Sequence, residues 1–526
     1  MLSIEKPLYI SPEEYQELIS FRETHAPTVA RLQAEVAELK RQLDWFKKQL
    51  FGVKSERRLV DQNPNQLSLG EEFEQPPGGE VETQQITYNR KVKRGTDREG
   101  ALNDSGLRFD EDVPVEVVVI PNREIEGLAP DEYEVIGEKV THRLAQRPGS
   151  YVIIKQVRPV VKIRHDQTIS CPPAPGGVLE RSYADVSFIA GVLVDKFVYH
   201  LPLYRQHQRL KDAGITVSRA WLTQIVHRSG QLLRPLHEAQ LESIRSGRVK
   251  AVDETPIKAG RSGKGKMKQA YYWPIYGERD ELSFVYCPSR ATHHLETLLQ
   301  DSPGVLLSDG YHAYQRYAAK TPGITHAQCW SHTRRTFIKA EGTEPDAVRV
   351  ALEYIRTLYA HEAQIQELGL TGQRKKAYRE RHSRPVVEAF FAWVTDQLHA
   401  QGLLPSNPLT KALSYTQERR TALEVFLTDP EVPIDTNHLE RGLRPIPMGR
   451  KAWLFCWTEV GAEYVGIVQS LLSTCRIHGI NPYDYLVDVL QRIDHHPARE
   501  VGKLTPRLWK RYYANAPLRS ILHPRE

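Results

Sequence analysis

The stretch Arg248-Val-Lys-Ala-Val-Asp-Glu-Thr-Pro-Ile-Lys258 decides how the chain is read. It follows Gly247 and drops the helical period of the residues before it. Val249, Ala251 and Val252 set an apolar frame around Asp253, as in a buried strand. Two further strand-like runs follow across polar turns, Gln269-Ala-Tyr-Tyr-Trp-Pro-Ile-Tyr276 and Leu282-Ser-Phe-Val-Tyr286. A helical pattern from Thr292 to Gln300 leads to a fourth strand, Gly304-Val-Leu-Leu-Ser-Asp-Gly310. Another helix, Tyr311 to Ala319, precedes a fifth strand near Ile324 to Gln328.

Three strands, helix, strand, helix, strand is the element order of an RNase-H-like core. It predicts an α/β fold with a mixed sheet. Asp253 sits midway along the first strand and Asp309 ends the fourth. A lone Asp at a strand end is usually a turn former. A third acid joins them from Asn437-His-Leu-Glu-Arg-Gly-Leu-Arg-Pro-Ile-Pro-Met-Gly-Arg-Lys-Ala-Trp-Leu-Phe455. Glu440 heads a short helical turn there, which Pro445 ends. Asn437-x-x-Glu440 is equally the spelling of an N-cap with its reciprocal carboxylate. The cations Arg441, Arg444, Arg450 and Lys451 follow closely, so the acid stands in positive charge suited to a polyanion.

Three carboxylates gathered in one place repel one another, and a divalent cation accounts for the clustering. Ions of the Mg²⁺ type take hard oxygen ligands. Two of them about 4 Å apart activate an attacking oxygen and stabilise a leaving one at phosphorus. Asp253, Asp309 and Glu440 are therefore the candidate catalytic and metal-ligating residues for two Mg²⁺ ions, with Mn²⁺ able to substitute. Glu254 and Asp435 are rival ligands. As a strand neighbour of Asp253, Glu254 faces the opposite side unless a bulge intervenes. Asp435 precedes the Glu440 turn as a possible cap.

Outside this core the chain divides by pattern. Residues 12–58 read as helix, with Val29, Leu32, Val36, Leu39, Leu43, Phe46 and Leu50 at alternating spacings of three and four, a leucine-zipper seam pairing two protomers. Residues 59–105 are polar and Pro/Gly-rich, with the basic cluster Arg90-Lys-Val-Lys-Arg-Gly95, and read as a disordered linker. Residues 106–180 alternate in short runs and predict a small β-rich module. His142, His165 and Cys171 do not make a four-ligand site there, so no zinc is expected.

Residues 181–246 carry helix-turn-helix grammar. A first helix ends at Ala213-Gly214, Ile215 and Val217 plug the turn, and Ser218 caps a second helix presenting Arg219, Trp221, Thr223 and Gln224 to DNA. An ordinary helical hairpin fits the same pattern. Residues 247–340 and 431–495 form the two parts of the core, around a helical insertion at 341–430 (Ala347 to Leu370, Pro385 to His399, Leu409 to Leu427). His326, Cys329 and His332 lack a fourth ligand for a soft metal, and Arg334 and Arg335 beside them are candidate phosphate contacts. The segment 496–526 is a basic tail whose Leu504-Thr-Pro-Arg-Leu-Trp-Lys-Arg-Tyr-Tyr513 suits a nucleic-acid strand or an anchor to the core.

Size and composition agree with several domains and real cores. The chain has 526 residues, 40% of them apolar, and 71 Lys+Arg against 65 Asp+Glu. Five scattered cysteines without a CxxC point to a reducing compartment. No run approaches the roughly 20 apolar residues of a membrane helix, so a soluble, cytoplasmic, nucleoid-associated protein is expected.

Several blocks together resemble one family. They are Leu43-Asp-Trp-Phe-Lys-Lys-Gln-Leu-Phe-Gly-Val-Lys-Ser-Glu56, Leu201-Pro-Leu-Tyr-Arg-Gln206, Val252-Asp-Glu-Thr255, Ser308-Asp-Gly-Tyr311, Cys329-Trp-Ser-His-Thr-Arg-Arg335, Asn437-His-Leu-Glu-Arg441 and Gly449-Arg-Lys-Ala-Trp-Leu-Phe455. In order and content they are similar to transposases of the insertion-sequence-66 family. The resemblance implies a Mg²⁺-dependent DDE transposase with the triad Asp253, Asp309 and Glu440. Such an enzyme binds terminal inverted repeats, cuts strands and joins 3′ ends to target double-stranded DNA. It also implies accessory proteins encoded by the same element, while the zipper implies a homodimer or larger assembly. Members typically carry a cysteine-rich zinc segment before the helix-turn-helix, and here only Cys171 stands in that region. Two rival readings keep the fold and drop the chemistry in part: a catalytically silent DNA-binding regulator, and an RNase-H-like nuclease that does not join strands.

Overall fold

The computed structural model describes residues 107–522, apart from 110–112, 127, 148, 165–166, 264, 401 and 403, together with positions 11, 16 and 20. The heptad seam from Val29 to Leu50 and the linker expected at 59–105 lie outside the described residues. Within them the strands are β1 (Arg108–Phe109), β2 (Val115–Val119), β3 (Tyr133–Arg147), β4 (Ser150–Ile163), β5 (Ile169–Ser170), β6 (Ile215–Thr216), β7 (Val249–Val252), β8 (Thr255–Gly263), β9 (Lys266–Gly277), β10 (Glu281–Cys287), β11 (Gly304–Ser308) and β12 (Ile324–Gln328).

The alternating runs of the N-terminal part form a sheet in the order β2-β4-β3, with β5 added to β4. Leu144 and Ile153 are cross-strand partners in it and both are fully buried. The segment expected as a helix-turn-helix folds as α1 (Val186–Phe197), α2 (Leu203–Asp212) and α3 (Arg219–Arg245). Gly214 takes φ +74°, Ile215 and Val217 are buried, and the Ser218 hydroxyl accepts from the Trp221 amide at 3.1 Å. Each of these follows from the local sequence, because glycine enters the left-handed region without a Cβ penalty and serine satisfies a free helix-start amide.

Two features of the same segment differ from expectation. Trp221 is not presented outward: its ring stacks on Tyr183 at 4.4 Å and on Phe188 at 5.5 Å. The second helix also outruns a short reading helix at 27 residues. Its far half packs on the central sheet, where the Gln240 amide donates to the Leu282 carbonyl at 2.8 Å.

The central sheet runs in the order β10-β9-β7-β11-β12, with β8 also paired to β9. β7, β11 and β12 are parallel, whereas β9 runs antiparallel to both β7 and β10. The stretch read as one strand from Arg248 to Lys258 is two, interrupted at Asp253 and Glu254. All four residues of β7 are buried, including Lys250, whose ammonium donates to the carbonyls of Gly247 (2.6 Å) and Pro303 (3.0 Å). A strand covered on both faces has no solvent for its lysine, so backbone oxygens take that role.

Helix α4 (Thr292–Leu299) and α5 (His312–Lys320) cover one face, where Leu295, Tyr314 and Tyr317 meet Val252, Leu306 and Trp273. The other face, with Ala251, Leu307 and Phe284, shares a core with the helix that begins at Glu459.

After β12 come α6 (Trp330–Ile338), α7 (Pro345–Glu367), α8 (Gly372–Tyr378), α9 (Arg384–Ala400), α10 (Pro408–Gln417) and α11 (Arg420–Thr428). The pattern Leu409–Leu427 is thus two helices, not one. Between them the Arg419 guanidinium lies 3.9 Å from the centre of the Tyr415 ring and reaches the Gly310 carbonyl at 3.4 Å, a tertiary contact with no local signal. The return to the sheet is α12 (Asn437–Leu443) and α13 (Pro445–Trp453), then α14 (Glu459–Ile477), α15 (Pro482–Arg492) and α16 (Pro506–Tyr512).

Of the two readings of the basic tail, the structure shows the anchor. Trp509 is buried and donates to Asp488 at 2.9 Å, and Arg507 pairs with the buried Glu281 at 2.9 Å. No helix of the described residues is long and apolar enough to cross a membrane.

The insertion is locked from within by Arg379. Its fully buried guanidinium makes two bonds to Glu362, at 2.8 and 2.7 Å, and donates to the carbonyls of Phe426 and Val432. Removing one partner of a buried pair strands the other's charge. Arg379→Ala should therefore cost about 3–5 kcal/mol in urea unfolding. A loss under 1 kcal/mol would show that the pair does not hold the insertion.

Candidate active site

Val249 and Ala251 of β7 are in register with Val305 and Leu307 of the parallel β11, so Asp253 and Asp309 leave neighbouring strands at the same end. Asp253 keeps partial strand character, its amide donating to the Pro274 carbonyl at 3.3 Å. Its carboxylate accepts from the Glu254 amide at 2.8 Å. The Asp309 carboxylate accepts from the Tyr311 amide at 2.9 Å and so turns the chain into α5. Gly310 is required by packing: a Cβ there would lie 2.3 Å from the Tyr415 hydroxyl.

Glu440 comes from α12, but not as a cap partner. Asn437 is the first helical residue, and the buried Asp435 accepts from its amide at 3.0 Å while also accepting from the Tyr359 hydroxyl at 2.8 Å. That use of Asp435 as a cap removes the reciprocal-carboxylate reading of Asn437-x-x-Glu440. The Glu440 carboxylate instead faces α6, 3.3 Å from Arg335 and 3.8 Å from the His332 ring.

Charge ties the acids together. Burial pushes the Asp253 carboxyl up to about 7, and the charges of Glu254, Asp309 and Glu440 push it the same way against the bond from the Glu254 amide. His332 is lowered by burial although Asp309, Glu440 and Asp435 favour its charged form. Its Nδ1 is buried without a partner. Glu254 is also raised by burial, and it is held by the Tyr314 hydroxyl and by Arg290. The interruption of the strand lets Glu254 lie near Asp253 while pointing into these partners.

Among the described residues no group of three or more His, Cys, Asp or Glu could hold a metal ion. The triad is thus an electrostatic cluster and not a closed coordination cage. The donor set still fits a hard divalent cation, because a carboxyl pushed up to about 7 by burial, and further by its acidic neighbours, gains from a cation beside its ionised form. The soft set does not converge. His326 bonds the Ser308 hydroxyl at 2.9 Å, and the Cys329 sulfur accepts from the Thr436 amide and hydroxyl, each at 3.2 Å.

The predicted cations are dispersed around this cluster. Arg334 and Arg335 are exposed on α6, and Arg441, Arg444 and Lys451 are exposed along α12 and α13. Arg450 donates to the Pro256 carbonyl, beside the start of β8. Arg219 is exposed in the first turn of α3, its guanidinium 6.0 Å from the centre of the Tyr204 ring. Sequence reasoning missed Arg290, which lies 4.3 Å from the Tyr311 ring centre and 5.6 Å from that of Tyr271 while holding Glu254. It missed Arg419 as well. Neither sits in a motif, and both act through contacts distant in sequence.

A mixed α/β core with coupled carboxylates at the ends of its central strands, ringed by arginines, defines a class of protein suited to polyanionic substrates. The chain belongs to the IS66 transposase family: the profile described as Transposase IS66 family matches residues 181–464. The IS66 C-terminal element matches 470–507, and a profile described as Transposase C of IS166 homeodomain matches 38–118. The homeodomain match therefore falls on the zipper end and linker, whereas α2 and α3 lie inside the transposase match. Family membership supports a transposase role with DNA as partner.

Three proteins of Sinorhizobium fredii are similar over most of their length. Uncharacterized protein y4hP is 28% identical over 505 residues, 90% of this chain and 89% of the relative. Uncharacterized protein y4jD is 27% identical (90% and 95%), and Uncharacterized protein y4qI is 29% identical (91% and 92%).

The raised Asp253 carboxyl links folding to pH. The folded chain holds a proton there that the unfolded chain releases near its ordinary value of 3.8, so stability is lost as pH rises from about 4 through about 7. Without divalent ions, Asp253→Asn should be more stable than wild type by roughly 2–4 kcal/mol at pH 8 and by much less at pH 4, in urea unfolding. A difference independent of pH would remove the coupling among the acids.

Proposed function

We propose that this protein is a DDE transposase with an RNase-H-like core that cuts DNA at terminal inverted repeats and joins the freed 3′ ends to target DNA. The strand order β10-β9-β7-β11-β12, antiparallel on one side of β7 and parallel on the other, supports the core assignment. One observation carries the chemistry: β7 and β11 pair in parallel register, so residues 253 and 309, far apart in sequence, leave the sheet at the same end, with the charge of Glu440 also reaching the Asp253 carboxyl.

Asp253, Asp309 and Glu440 would hold Mg²⁺, or Mn²⁺ in its place. When bound, such ions supply Lewis-acid activation of the attacking oxygen and stabilisation of the leaving one. The chain's own residues set up the rest. Strand pairing fixes Asp253 relative to Asp309, and α12 delivers Glu440 from across the insertion. Arg335, already at Glu440, and the exposed Arg334, Arg441, Arg444 and Lys451 are placed to grip phosphates electrostatically, and Arg450 joins them on leaving the Pro256 carbonyl.

In the first reaction a water oxygen bonds to phosphorus as the bond to the 3′-oxygen breaks. In the second, the freed 3′-hydroxyl attacks a target phosphate and displaces that strand's 3′-oxygen. Arg219 at the start of α3 is placed to contact double-stranded DNA. The heptad seam supports pairing of two protomers, and accessory proteins from the same element would act with them, at the nucleoid.

Asp253→Asn should abolish Mg²⁺-dependent nicking of repeat-ended DNA while its Kd for the same DNA stays within about twofold, since the change removes a buried ligand and no phosphate contact. A variant that still cuts at wild-type rate would refute the triad. Mg²⁺ should also raise the thermal midpoint of the wild type and leave that of Asp253→Asn unmoved. An equal rise in both would place the ion elsewhere.

A further inference from the structure

The chain segment that follows α13 exposes a set of apolar side chains beside cations. Leu454, which closes α13, has φ 63° and ψ −54°, a positive φ that a residue with a Cβ rarely adopts. The Phe455 amide donates to the Trp453 carbonyl at 2.8 Å, closing a γ-turn of the rare, strained hand around it. The strain does not serve burial, because the Leu454 side chain is 63% exposed and Trp457 is 61% exposed. Strained backbone that keeps a large side chain in solvent marks a site of use.

The segment is also held rigidly. The Cys456 amide donates to the Lys258 carbonyl at 2.9 Å, and the Gly260 amide donates to the Cys456 carbonyl at 3.1 Å. Phe455 braces Trp457 edge-on at 5.0 Å, and the Arg261 guanidinium lies 4.7 Å from a Trp457 ring centre. Lys258, Arg261 and Lys451 are exposed around it.

We propose that Leu454 and Trp457 form a platform for an unstacked DNA base. The exposed Lys258 and Lys451 argue against a protein partner, since interface centres are depleted of lysine. Aromatic rings interleaved with cations are what single-stranded nucleic acid uses: the ring stacks on a base and the cations take the flanking phosphates. A leucine held outward serves as a wedge between base steps.

The pinning residues Lys258–Gly260 lie five to seven positions beyond Asp253. That is at most about 16–23 Å at about 3.3 Å per residue, because the strand is interrupted at Asp253–Glu254 and shifts register after Lys258, so the span is no more than about five to seven base steps. The platform thus addresses a base within about seven steps of the cut phosphate. The inference rests on the transposase reading and names a DNA structure that the same site prefers.

The test uses the full-length protein without divalent ions, measuring anisotropy on a blunt duplex and on the same duplex carrying a short unpaired end with 2-aminopurine. Wild type should prefer the unpaired end and alter the 2-aminopurine emission. Trp457→Ala should lose about tenfold on that DNA and keep its affinity for the blunt duplex, whereas Trp457→Phe should retain most of the preference. Leu454→Gly should lose the emission change with no loss of thermal stability. Equal preference in wild type and Trp457→Ala overturns the platform and leaves the transposase reading standing. Failure of wild type to bind either DNA overturns both. A shift of Trp457→Ala to a smaller oligomer would make the patch a protein contact and also overturn the platform.

Discussion

The parallel register of β7 with β11 is the constraint on which the rest of the molecule hangs. Because Val249 and Ala251 face Val305 and Leu307, both strands release their aspartates at one edge, and no change of side chain alone could bring those acids together. Parallel pairing requires cover on both faces, which explains the buried Lys250 and the helices above and below the sheet. The third acid obeys a different rule. Glu440 returns to the sheet only after the six helices α6 to α11, so its position depends on the Arg379–Glu362 pair and on Tyr415 seated against Gly310.

Burial governs the site, with repulsion added to it. An ionised Asp253 is disfavoured first by its surroundings and then by its acidic neighbours, so it weakens the fold as pH rises through about 7. Arg290 and Tyr314 relieve Glu254, while Arg335 stands beside Glu440. Asp253 is raised chiefly by its burial, and among the described residues no basic side chain offsets that. A divalent ion would supply the missing positive charge, so the same imbalance that weakens the empty fold would favour the loaded one.

Much of this was legible in the sequence where local rules act alone. Hydrophobic alternation located β9, β10, β11 and β12 to within a few residues, and Gly214 and Ser218 marked the turn and cap through backbone freedom and a hydroxyl. The illegible parts are tertiary. Nothing local announces the break at Asp253–Glu254, because alternation cannot see which residues a neighbouring strand declines to pair. The split of Leu409–Leu427 comes from Arg419 and Tyr415, with no Pro or Gly at the junction. Trp221 reads as a surface residue on a helical wheel until Tyr183 arrives to stack on it. The buried Arg379 looks in sequence like one more charge on a helix.

The docking of α16 bears on the order in which the fold is completed during synthesis. Until α16 is synthesised, Glu281 at the sheet edge lacks Arg507 and the buried Asp488 lacks the Trp509 indole. A ribosome that stalls before those residues leaves Glu281 with only the Ser243 hydroxyl and Asp488 with only Arg492, each short of a donor in the interior. A chain cut short before α16 should therefore be less stable than the full chain, because both buried carboxylates lose a donor.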